Sequence, residues 1–421
     1  MKEHPSYVGF PPLSDKEQIV EALVHDPPDV RWRVVRDLFR IYDDEDRRDL
    51  ISLLQPHLYE ATDFRIKYRI TMALMALHNP GTKEDYVLVK GKGAFRRSGL
   101  ESPTDGLKDL SSAETGLFPI VDFHIHPKSP DLKFFSDMRE AGVTHGVILA
   151  TDTDPSDVDR PEIRENLRKD YSQSPQSQTV PFERILTQIR ASLHSLTHVV
   201  NRDVADWVSD YPDILIGFGS VNLSKSRDYV EEKLEEIRRL KLHGIKLLPF
   251  SQFFNPAENE NMDLLFQHCV DTESIILSHS GCGAGPFDLP ELSRNAHPNL
   301  WESLLKKYTD VPVVFAHFGA YSTHIPGIWL HDVLQLGKKY RNVYADLAAV
   351  DWLLDRETVV KEIRKTIGFD RVLFATDYPL PKTAGMSLAY LVGALKANTI
   401  LTEKEKRKVL GMNASRLLGL G

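Results

Sequence analysis

From Pro119 to the C terminus, eight apolar runs rich in β-branched residues alternate with helical stretches, and no other feature of this 421-residue chain restricts its fold as tightly. The runs are PIVDFHIH, VTHGVILAT, DILIGFGSVN, HGIKLLP, SIILSHSG, PVVFAHFG, NVYADLAA and RVLFATDYP. Segments such as RDYVEEKLEEIRRLK and RETVVKEIRKTI separate them and place an apolar residue every three or four positions. Strands that read as near-continuous apolar runs are buried on both faces, which points to parallel pairing with right-handed helical crossovers. Eight such units in roughly 260 residues have the size of a closed (β/α)8 TIM barrel. The rival, an open doubly wound sheet, ordinarily brings a glycine-rich phosphate turn after its first strand, and HIHPKSP at that place has no glycine.

The chain upstream has a different rhythm. Residues 1–80 read as a small all-α N-terminal domain. In DVRWRVVRDLFRIY, Val30, Val34, Leu38 and Ile41 mark one helical face, and Ile66, Ile70, Leu74 and Leu77 mark another. The paired amphipathic helices resemble HEAT-like repeats, although a helical domain without repeats accounts for two irregular units equally well. Residues 81–118, rich in glycine, serine and charge, form a connecting segment, and residues 119–421 hold the barrel with its C-terminal helices. One barrel unit is long. Its polar, proline- and serine-rich part, residues 152–181, is expected to be a mobile loop over the barrel mouth.

A formal charge of −8, with lysine and arginine scattered among carboxylates, leaves no basic footprint for nucleic acid. No apolar stretch is long enough to span a membrane, and the start carries no apolar signal region. Cys269 and Cys282 are the two cysteines, which argues against a disulfide scaffold and fits a cytoplasmic protein. The expected partner is a small-molecule substrate, with the helical N-terminal domain as a surface for a protein partner or a second copy of the chain.

Active sites of such barrels are built at the carboxyl ends of the strands. Those ends supply His124 and His126, then Asp152, Asn222, Lys246, His279, His317, Asp346 and Asp377. In an extended strand His124 and His126 point one way while Phe123 and Ile125 point the other. Barrel closure brings the distant strand ends together, and three imidazoles with one carboxylate are a full ligand set for zinc or a similar divalent ion.

The motifs VDFHIHP, GIKLLP, ILSHSG, VFAHFGA, VYADLAA and LFATDYP, with the tail VLGMNASRLLGL, resemble the amidohydrolase superfamily. They are most similar to its metal-dependent hydrolase and decarboxylase branch, which includes aminocarboxymuconate semialdehyde decarboxylase-like proteins. The resemblance covers residues 119–421. Ala375 stands where this branch commonly has glycine, and KLLP where it often has Lys-Leu-His-Pro. The resemblance implies that His124, His126, His279 and Asp377 hold the metal, that Asp377 also holds the attacking water, and that His317 is the general acid/base. It implies one metal ion, taken as zinc, with Lys246 as a charged neighbour; a second metal bridged by a carboxylated Lys246 is the alternative. Lys246, Lys128, Gln252, Tyr321 and Trp352 are candidate substrate contacts. Asp346 either orients a histidine or caps the next helix. The expected activity is hydrolysis of a C–N or C–O bond in a small organic substrate. Non-oxidative decarboxylation of an aromatic or unsaturated carboxylic acid is the alternative, and a catalytically silent scaffold is the reading from another class.

Overall fold

The computed structural model describes residues 118–126, 132–195, 199–379 and 387–420, the helix Asp44–Glu60, and residues 16, 17, 19, 20, 70, 73, 74 and 77. Helix Asp44–Glu60 coincides with the DRRDLISLLQPHL segment, and Leu50, Leu54, Ile70, Leu74 and Leu77 are buried. The expected helix around Val30–Ile41, almost all of the connecting segment and Lys128 lie outside the described residues.

Eight parallel strands follow one another around a single sheet in chain order. They are β1 (Val121–Ile125), β2 (His145–Leu149), β3 (Leu215–Ser220), β4 (Gly244–Leu247), β5 (Ile275–Gly281), β6 (Val313–Tyr321), β7 (Val343–Asp346) and β8 (Val372–Leu373). The ring is completed beyond the short β8. Phe123 N donates to Phe374 O at 3.0 Å, Asp377 N to His124 O at 2.9 Å, and His126 N to Tyr378 O at 2.7 Å. The fold is the (β/α)8 barrel that the alternating runs require.

Inside it, Val121, Phe123, Leu149, Phe218, Ile275, Leu277, Val314, Ala316 and Leu373 form one buried cluster, with Phe123 edge-on to Phe218 at 5.6 Å. The helices cover the outer faces. Helix Arg227–Arg239 shows why: Ser226 caps it by accepting from Tyr229 N, and Val230, Leu234 and Ile237 recur on its buried side. The tail seals the opposite end, where Asn413 Nδ2 donates to Phe369 O and Val372 O at 2.7 and 2.8 Å. A Cβ on Gly411 would stand 1.7 Å from Pro119 O, so this turn accepts only glycine.

Two details differ from the sequence reading. The register of β1 against β2 shifts between Asp122 and Ile125. Simple alternation therefore fails in VDFHIH: Phe123 joins the interior cluster, whereas Ile125 packs in the outer one. The polar insertion is helical and not a long loop. It forms turn Pro155–Asp159, helix Pro161–Tyr171, turn Pro175–Gln178 and helix Phe182–Ser195. Pro155, Pro161 and Pro175 each sit in a first turn, where the missing N–H is no loss. Ile163, Leu167 and Tyr171, spaced by four, bury with Ile185, Ile189, Leu193, Leu248, Phe250 and Phe287 into a separate cluster.

Candidate metal centre and active site

Ligand atoms of His124, His126 and Asp377 lie within 4.8 Å of one another, the one such group among the described residues. The His124 and His126 Nε2 atoms are 3.1 Å apart, and Asp377 Oδ1 is 3.6 and 4.0 Å from them. Ligands about 2.0–2.1 Å from one zinc-like ion stand about 2.9–3.4 Å apart, so the two imidazole nitrogens match a shared ion. Burial above all, and then neighbouring positive charges, push both imidazoles well below their usual pKa. They are neutral, as metal ligands must be.

Asp346, at the end of β7, orients the first of them. Its Oδ2 lies 2.9 Å from His124 Nδ1, so the ring N–H donates there and the Nε2 lone pair faces the site. Its Oδ1 accepts from His317 N at 2.7 Å and from Ala348 N at 3.1 Å. Of the two roles open to Asp346, the geometry shows the orienting one.

His317 leaves the regular strand with φ +57, and Phe318 follows at +53. This left-handed pair breaks the two-residue alternation and turns the imidazole toward the site. Its Nδ1 donates to Ala348 O at 2.8 Å, and its ring lies 5.0 Å from that of His124 and 4.6 Å from that of His279. Burial lowers its pKa to about 4, so the ring is neutral with Nε2 carrying the lone pair.

His279 is buried on β5 beside this group but outside the three-residue set. Its Nε2 lies 3.0 Å from Cys282 O, which fixes the N–H there and leaves Nδ1 as the lone-pair nitrogen. Phe250 stands edge-on to it at 4.6 Å, and Phe287 stands against Phe250 at 4.9 Å.

Lys246 is completely buried at the centre of the barrel, and its Nζ donates to His124 Nε2 at 2.9 Å. Among the described residues no carboxylate comes within 4.0 Å of that ammonium. Burial lowers its pKa and raises that of Asp377, and the attraction between the two groups partly offsets both shifts.

The other candidate contacts separate. Tyr321 is buried at the end of β6 with its ring 5.5 Å from His317, and burial raises its pKa, keeping the phenol neutral. Trp352 is buried in the turn Asp351–Asp355 after β7. Gln252 is fully buried and its amide ties three strand ends: Nε2 donates to Asp152 O and Val221 O, and Oε1 accepts from Leu248 N. Asp152 likewise accepts from Asn222 N and the Tyr229 hydroxyl. The sequence reading missed Asp122, which lies in the same peptide as the two histidines. A carboxylate inside an apolar strand was the signal.

A family profile described as Amidohydrolase matches residues 121–420. The chain belongs to the amidohydrolase family. Among curated proteins nothing matches this amidohydrolase. Among solved structures, it superposes on an uncharacterised TIM-barrel protein from Bordetella bronchiseptica with a TM-score of 0.52 at 18% identity, covering 72% of this chain and 98% of the other. That likeness supports the barrel. A 2,6-dihydroxybenzoate decarboxylase from Rhizobium gives a TM-score of 0.46 at 14% identity, with 72% and 99% covered. A probable 2-pyrone-4,6-dicarboxylic acid hydrolase from Acinetobacter baumannii gives 0.45 at 14%, with the same shares covered.

Across the described residues of this amidohydrolase, no helix is long and apolar enough to cross a membrane.

Proposed function

We propose that this amidohydrolase is a metal-dependent, non-oxidative decarboxylase of an aromatic or unsaturated carboxylic acid. The observation that carries the reading is Lys246, a fully buried ammonium that hydrogen-bonds to an imidazole and not to a carboxylate. The Asp346 and Asp377 carboxylates act on this ammonium only across more than 4.0 Å, so burial is incompletely offset, and an anionic substrate supplies a directly bonded partner. His124, His126 and Asp377 would hold one divalent ion, zinc by their donor chemistry, with the His279 ring 4.6 Å from that of His317 beside them. When bound, that ion supplies Lewis-acid polarisation of the substrate and of water.

The chain's own residues do the rest. Lys246 would pair with the substrate carboxylate, and Phe250, edge-on to His279 and backed by Phe287 and Leu248, would offer apolar surface to a flat ring. In that dry setting the C–C bond to the carboxylate breaks, carbon dioxide leaves, and the electron pair stays on carbon. The Nε2 lone pair of His317, whose ring is fixed by Ala348 O, would first accept a proton from water and then pass it to that carbon. The new C–H bond takes the electron pair left by carbon dioxide, and hydroxide is the balancing product.

Hydrolysis is the second reading, and one observation favours it. His317 Nε2 carries a free lone pair, which suits removal of a proton from water. The test is zinc- or manganese-loaded protein on a panel of aromatic and unsaturated acids, esters, amides and lactones, reading both carbon dioxide and hydrolytic product. Carbon dioxide release is expected, with Lys246→Met raising KM by roughly ten- to a hundredfold. Cleavage of an ester, amide or lactone without carbon dioxide release overturns the decarboxylase reading in favour of hydrolysis.

A further inference from the structure

We propose that Asp122 and Thr376 form a buried clamp that positions His124 and Asp377 for metal binding. The clamp rests on the ion site just described and adds residues that do not themselves touch the ion.

Asp122 is fully buried, yet no cation faces its carboxylate within ion-pair distance among the described residues. Its partners are neutral donors: His124 N two residues on, and two groups of Thr376, 254 residues away. Oδ2 accepts from the Thr376 hydroxyl at 2.6 Å, and Oδ1 accepts from Thr376 N at 3.0 Å. Oδ1 also receives His124 N at 3.3 Å, where the register shift has taken β1 out of its regular ladder. One carboxylate therefore holds the backbone of His124 and both donors of the residue next to Asp377.

Asp377 needs such support. Its φ is +61, a left-handed conformation uncommon for a non-glycine residue and held by its surroundings. Three restraints flank it. Asp377 N donates to His124 O, Thr376 is held by Asp122, and Tyr378 N donates to the Thr376 hydroxyl at 3.1 Å. The Thr376 hydroxyl thus gives its one proton to Asp122 and accepts one from Tyr378, spanning the turned residue between them. With residues 376 and 378 pinned, the Asp377 carboxylate is aimed at the two imidazoles. Regular pairing cannot do this alone, because β8 contributes only Val372 and Leu373 to the ladder.

The experiment measures zinc affinity by chelator competition, and the visible spectrum of the cobalt(II) form, in the full-length chain. Thr376→Val removes both hydroxyl bonds at nearly constant shape, and zinc affinity is expected to fall roughly ten- to a hundredfold with an altered cobalt spectrum. Thr376→Ser keeps the hydroxyl and is expected to stay near wild type. A purely structural role would lower the melting temperature of all variants without this hydroxyl-specific rescue. Wild-type zinc affinity in Thr376→Val, or weak binding shared by Thr376→Ser, overturns the clamp while leaving the ion site standing. Should Thr376→Val fail to fold, Asp122→Asn decides, with a drop of about tenfold expected and none overturning the proposal. A wild-type chain that binds neither zinc nor cobalt sinks the ion site itself, and the clamp with it.

Discussion

Along the seam where the extension of β8 meets β1, side chains are held by directional polar bonds: Asp346 on His124, Asp122 on Thr376, and Asp377 between two pinned neighbours. Across the mouth, where β4 and β5 end, Leu248, Phe250 and Phe287 are held by packing against the helices Pro161–Tyr171 and Phe182–Ser195. A hydrogen bond fixes an atom to within tenths of an ångström but contributes only about 1 kcal/mol net, so damage to the seam should misplace ligands before it unfolds the barrel. Buried aromatic surface contributes several kcal/mol but tolerates small displacements, so damage to the wall should cost stability and substrate fit first.

His317 lies between the two, with its ring near both His124 and His279, and gives the largest expected effect. His317→Ala should slow turnover about 10²- to 10⁴-fold while the chain keeps its ion, because a proton relay is lost and no ligand is. His279→Ala should weaken ion binding, though less than His124→Ala, since His279 stands outside the three-residue group. Metal content and single-turnover rates on the three variants check this. If His317→Ala loses its ion as readily as His124→Ala, His317 is a ligand and the division of roles falls.

Much of this is legible in the sequence. Buried parallel strands must be apolar and β-branched, so the eight runs announced themselves, and histidine or aspartate closing such a run stands out. What stayed hidden depends on the backbone. The register shift in β1, the left-handed His317 and the left-handed Asp377 have no local signature, because each is fixed by partners far along the chain. The helices Pro161–Tyr171 and Phe182–Ser195 are obscured differently: prolines that begin helices resemble loop residues, and charge masks the spacing of Ile163, Leu167 and Tyr171. Gln252 shows the opposite error. A polar residue after a strand end reads as a substrate contact, yet its amide is engaged with three backbone groups.

The wall gives the next largest effect. Phe250→Ala should destabilise the chain by about 3 kcal/mol in denaturant unfolding, because it leaves a cavity against Phe287 and His279. KM for the substrate should rise, and zinc affinity should stay within about twofold of wild type, as wall and seam share no hydrogen bond at Phe250. If zinc affinity instead falls as far as in Thr376→Val, packing reaches the ligands and the two regions are not separable.

The smallest effect is expected at the rim beyond β6, where Asp288 is buried and accepts from the Ser322 hydroxyl, Thr323 N and His324 Nδ1. The hydrogen bond to Asp288 raises the His324 pKa, with burial opposing it. A histidine whose folded pKa lies above its unfolded value of about 6.5 adds stability that is complete below that pH. The contribution is lost as pH rises through the folded pKa. With the imidazole more than half exposed, solvent screening limits it to a few tenths of a kcal/mol. The melting temperature of wild type should therefore exceed that of His324→Asn slightly near about pH 5.5, and the gap should close by about pH 8.5. The comparison of seam and wall adds a sharper demand. This pair makes no bond to His124, His126 or Asp377, so the substitution should leave the pH profile of turnover in place. A profile that shifts with His324 would mean that rim charge reaches the reacting centre, and a gap that widens at alkaline pH would mean the imidazole is stabilising in its neutral form.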